Sequence, residues 1–101
     1  MNEENRAKLK AVMKFYGYEN QREIFVEECA EAIQAVQKCK RNNTSVDAFT
    51  NLVEEVADVL VTAQQMRLYL GSEMVDRIIK RKLDRQLKRM ETENEKDVQD
   101  V

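Results

Sequence analysis

Two glycines and no proline in 101 residues constrain this chain more than any other feature. Sheets need turns, and turns recruit glycine and proline for backbone angles that other residues resist, so an all-helical fold is expected. The two glycines fall where helices should stop. A first helix is predicted from about Glu3 to Tyr16, ending at Gly17. A second starts near Asn20, with Glu23 completing a cap, and runs to about Lys40. Arg41 to Ser45 is read as a loop, and Thr44 with Asp47 has the spacing of a capping box for a third helix ending near Leu70. Ser72, after Gly71, is read as the cap of a fourth helix of roughly twenty residues. The expected architecture is an antiparallel bundle of about four helices over residues 1–90, followed by an acidic, disordered tail over residues 91–101.

The chain contains no histidine, so His-based metal sites and Ser-His or Cys-His nucleophile pairs are excluded. Chemistry must come from carboxylates, amines, hydroxyls or two cysteines. Cys29 and Cys39 sit about 15 Å apart along one predicted helix, too far for a disulfide within it. The tail carries −4 of the total net charge of −2, leaving +2 on residues 1–90, so overall charge says little about partners. No run approaches the roughly 18 apolar residues of a membrane span, and Met1 to Glu4 do not open an export signal. No membrane association and a cytoplasmic location are expected. A chain this short buries only about 60–68% of its unfolded surface, so a second copy is expected to help complete the core.

Helices two and three conceal a repeat. Residues 25–38, FVEECAEAIQAVQK, align with residues 52–65, LVEEVADVLVTAQQ, with Val26/Val53, Glu27/Glu54, Glu28/Glu55, Ala30/Ala57 and Gln37/Gln64 identical. One helical unit written twice suggests an antiparallel hairpin with equivalent residues facing one another near a local pseudo-twofold axis. At about 100° per residue, Glu28 and Glu31 share one face of their helix, as do Glu55 and Asp58 of theirs. These faces border the apolar stripes Phe25, Cys29, Ala32, Ile33, Val36 and Leu52, Val56, Val59, Leu60, Ala63, Met66. Helices pack about 8–10 Å apart, so four inward carboxylates would crowd one small space. They cannot all ionise cheaply there, and a divalent cation resolves the conflict. An oxygen-only ligand set suits Mg2+, with Mn2+ as the alternative ion. A single E-x-x-E in so charged a chain reads as solvated surface; two matched units on consecutive helices do not.

EECAE at 27–31 and EEVAD at 54–58 resemble the E-E-x-x-E then E-x-x-D signature of the MazG-like, all-alpha nucleoside triphosphate pyrophosphohydrolases. The resemblance extends to the YGYENQ lead-in at Tyr16–Gln21 and to the basic last helix. It implies Mg2+-dependent cleavage between the alpha and beta phosphates of a nucleotide, in a dimer or a dimer of dimers. By position it makes Glu28, Glu31, Glu55 and Asp58 the metal ligands. Glu31 is favoured for orienting or deprotonating the attacking water, Glu27 is a second catalytic candidate, and Gln21 joins the candidate substrate contacts.

The last helix carries seven basic residues between Arg77 and Arg89. Val75, Ile79, Leu83 and Met90 form its apolar stripe, with Lys82, Gln86 and Arg89 beside it. Cations next to a packed face need anions, and the candidates are the carboxylate cluster or the substrate phosphates bound there. The competing reading is a solvated face or a nucleic-acid patch, and nucleic acid is the less favoured partner. Nothing in the sequence marks the base or the sugar. Two alternatives stay open: the same fold acting on a phosphoribosyl nucleotide, and a non-enzymatic helical interaction module.

Overall fold

A computed structural model describes residues 1–99, and its four helices account for nearly all of them: α1 (Glu3–Tyr16), α2 (Tyr18–Arg41), α3 (Val46–Leu70) and α4 (Ser72–Gln99). There is no strand among the described residues. No helix is long and apolar enough to cross a membrane. The chain divides into two units, residues 1–69 and residues 70–101.

The helix boundaries follow from their caps. Asn2 opens α1 by accepting a hydrogen bond from the Asn5 amide at 2.8 Å. Gly17 ends it with φ at 85°, an angle that only glycine adopts cheaply, and at the same time serves as the first residue of α2's cap. The helix therefore starts at Tyr18, ahead of Asn20, which lies within the first turn and donates through its side-chain amide to Gln21. The loop shrinks to residues 42–45, and Ser45, not Thr44, caps α3 by accepting from the Ala48 amide at 3.2 Å. The acidic segment read as a tail from Glu91 continues α4 to Gln99, since it contains good helix formers and no breaker. Residues 100 and 101 lie outside the described residues.

In the first unit, α1 packs on α2, with Leu9 buried. α2 and α3 run antiparallel. From one end of the hairpin to the other, Tyr18 stacks on Tyr69 with centroids 3.6 Å apart, Gln21 bonds Gln65, and the Cys39 thiol donates to the Ala48 carbonyl at 3.1 Å. Both cysteines are free thiols. The Gln21 Nε2 donates to Gln65 Oε1 at 2.8 Å, and both side chains are buried, Gln65 at 2% exposure. Breaking one side of this pair is expected to cost more than removing both, because an orphaned buried amide loses its water without recompense. Gln65→Leu should destabilise by about 1–3 kcal/mol, and Gln21→Leu combined with Gln65→Leu should recover most of that. Thermal melts of the two singles and the double check it.

The apolar stripes are only partly internal: Met66 is buried and Phe25, Cys29, Ala32, Leu52, Val59 and Ala63 are half-buried, while Ile33 (64% exposed), Val36, Val56 and Leu60 (56%) are exposed, as are Phe49 (65%) and Val53 outside the stripes. The seam between α2 and α3 carries small and polar residues, and the larger aliphatic side chains flank it. In the second unit, α4 also leaves Ile79, Leu83, Leu87 and Met90 exposed.

Candidate functional site

The four carboxylates lie on the α2–α3 seam, and their pairing is crossed. Glu28 meets Asp58 across the hairpin and Glu31 meets Glu55. An antiparallel arrangement requires this: the first acid of one repeat lies opposite the second acid of the other. Equivalent residues do not face one another, as the repeat had suggested. Instead the pseudo-twofold exchanges the Glu28–Asp58 pair with the Glu55–Glu31 pair.

Carboxylate oxygens of Glu28, Glu31 and Glu55 all lie within 4.8 Å of one another. Glu28 and Glu55 are half-buried, Glu31 and Asp58 exposed. Burial is atomic here: Oε2 of Glu28 and Oε2 of Glu55 are shut off from water, and neither accepts a hydrogen bond. Loss of water at these oxygens is the first reason that both carboxyls titrate above the ordinary carboxylate value. For Glu28 the negative charges of Asp58 and Glu31 and a shared hydrogen bond with Asp58 add to it. For Glu55 the hydrogen bond to Glu31 comes next, followed by the charges of Glu31 and Asp58. The two Oε2 atoms are thus acceptors with no donor to meet them, an arrangement that attracts either protons or a cation.

The other residues singled out in the sequence fall elsewhere. Asp58 adjoins Glu28 but is not one of the three clustered acids. Glu27 is exposed and outside the cluster. Gln21 spends its amide on Gln65, so its place is in the framework of the hairpin. Lys82, Gln86 and Arg89 are exposed on α4, in the second unit, where Arg89 borders a shallow hollow with Arg85 and Lys88. Lys80, beside them, is held charged by a 2.9 Å bond to Asp84 one turn on.

Sequence reasoning overlooked Lys38, Arg41 and Asn51, which line a cavity of about 600 Å3 together with Glu31 and Glu55. A signal existed: Glu31, Gln34, Lys38 and Arg41 recur at three- and four-residue intervals along one face of α2.

No family model, curated protein or solved structure matches the chain.

Proposed function

We propose that this chain is a Mg2+-dependent nucleotide pyrophosphohydrolase of the MazG-like kind, cleaving a nucleoside triphosphate or deoxynucleoside triphosphate to the monophosphate and pyrophosphate in the cytoplasm. The observation that carries the reading is the crossed carboxylate set, with two oxygens closed to water and lacking any donor. These residues fit a hard divalent cation. All donors are carboxylate oxygens, three of them already converge, and neither imidazole nor thiolate competes. Glu28, Glu31, Glu55 and Asp58 would hold the ion. When bound, Mg2+ supplies neutralisation of polyphosphate charge and a lowered cost of forming hydroxide from water. Glu31 is the clustered acid open to solvent, so it is the one placed to orient a water and accept its proton. Glu28 and Glu55, with their inaccessible oxygens, serve to anchor. Lys82, Gln86 and Arg89 stand as substrate contacts on the strength of the sequence pattern.

The test is pyrophosphate release from a panel of ribo- and deoxyribonucleoside triphosphates and a phosphoribosyl nucleotide. Turnover is expected with Mg2+, none with chelator, and none in Asp58→Asn. Turnover that survives both chelation and Asp58→Asn would remove the metal site from the reaction.

The active form is proposed to be a homodimer or a dimer of dimers. Phe49, Val53, Val56 and Leu60 form an exposed apolar row at three- and four-residue spacing on α3. Each such side chain contributes about 1.5–3 kcal/mol when buried, enough over two copies of the row to hold a second chain. Sedimentation should give at least twice the 11.9 kDa monomer mass for the parent, and Leu60→Glu should weaken association by about 100-fold or more. A parent that sediments as a stable monomer contradicts the assembly.

A further inference from the structure

The cavity that borders the carboxylates has a second chemical character. Its lining includes the acids Glu31 and Glu55, the amides Gln34 and Asn51, and the cations Lys38 and Arg41. Lys38 lies seven residues beyond Glu31 on α2, about 10 Å along the axis, and Arg41 about 15 Å. Helical side chains lean toward the N-terminus, which for Lys38 and Arg41 is the direction of Glu31 along α2. No ion pair among the described residues engages either one. A space of this volume lined both by carboxylates that would hold a metal and by two cations outside any ion pair among the described residues matches a metal-bound polyphosphate.

We propose that Lys38 and Arg41 bind the phosphates of the substrate that lie beyond the metal-held ones, so that the cavity selects ligands carrying a pyrophosphate unit over monophosphates. This rests on the metal reading of the carboxylates and adds to it a named phosphate subsite. Arg41 supplies a planar fork suited to two phosphate oxygens, and Lys38 a compact charge. Gln34 and Asn51 bring amide donors to the same walls. Lys38, Lys40 and Arg41 all occupy the last turn of α2, where any cation complements the helix dipole. Lys40 does not line the cavity, and so provides the control.

Two titrations separate the two readings. Mn2+ binding, followed by electron paramagnetic resonance, reports the carboxylates alone; calorimetry with inorganic pyrophosphate in the presence of Mg2+ reports the whole cavity. Lys38→Met combined with Arg41→Met is expected to leave Mn2+ affinity within about twofold and to weaken pyrophosphate binding by tenfold or more. Lys38→Arg should retain most of it, and Lys40→Met should change neither titration. Undiminished pyrophosphate affinity in the double variant, an equal loss in Lys40→Met, or a parent that binds Mn2+ but not pyrophosphate would overturn the subsite and leave the metal site standing. A parent that binds no Mn2+ overturns both.

Discussion

Glu28→Gln is expected to lower pyrophosphohydrolase turnover by at least about 100-fold while making the metal-free protein more stable. The two effects have one cause. Glu28 occupies the seam with its Oε2 shut off from water and without a donor, opposite Asp58 and beside Glu31 and Glu55. A carboxylate in that position weakens the empty fold, because its charge is poorly hydrated and faces others of the same sign. The uncharged amide relieves both penalties and can donate to a neighbouring carboxylate. On the proposed metal reading it also removes a ligand for the cation, so binding and turnover should fall together. Turnover with Mg2+ and a thermal melt in chelator, on the same preparation, read the two signs. Glu27→Gln, at an exposed position outside the cluster, should move both far less.

The second large effect is a pH dependence that Mg2+ reverses. Glu28 and Glu55 titrate above their ordinary value of 4.5 in the folded chain. Between 4.5 and the raised values the folded state holds more protons than the unfolded one, so stability falls as pH rises through that window. The metal-free protein should thus lose stability from about pH 4.5 upward, and Glu28→Gln with Glu55→Gln should flatten that part of the profile. Binding of a divalent ion requires the same carboxyls ionised, so added Mg2+ stabilises more as pH rises. At a concentration about 100 times its dissociation constant, the ion should raise the melting temperature at neutral pH by about 10 °C or more. Melts across pH with and without Mg2+ check this. A metal-free stability that rises through the window, or a Mg2+ effect that is the same at pH 4.5 and pH 7, would contradict it.

The helices were readable because their signals are local. Scarce glycine, absent proline and the positions of Gly17 and Gly71 mark the breaks without reference to anything distant. The caps were harder, since Thr44 and Ser45 are both competent and the choice depends on where the turn places each hydroxyl; the structure uses Ser45. The repeat showed that acids from the two helices come together, three of the four clustering, because matched spacing on two helices has a simple geometric consequence. It did not reveal which acid meets which, since crossing depends on the direction of the second helix and the register of the seam. Gln21 and Gln65 were not linked in the sequence, as a polar pair distant in the chain leaves no periodic trace. Lys38 carries no signal of its own and Arg41 reads as loop, because the cavity they line exists only once α3 lies alongside. The exposed Val56 and Leu60 carry helical periodicity whether they face the chain's own core or a second chain, so periodicity alone assigned them inward.

Phosphorus NMR of a nucleoside triphosphate incubated with the protein and Mg2+ tests the central claim most directly, because it reports which bond breaks. The account predicts equal amounts of nucleoside monophosphate and pyrophosphate, with both formed at least about 100-fold more slowly by Glu28→Gln. Release of orthophosphate and a nucleoside diphosphate, or intact triphosphate across the whole nucleotide panel, would contradict it.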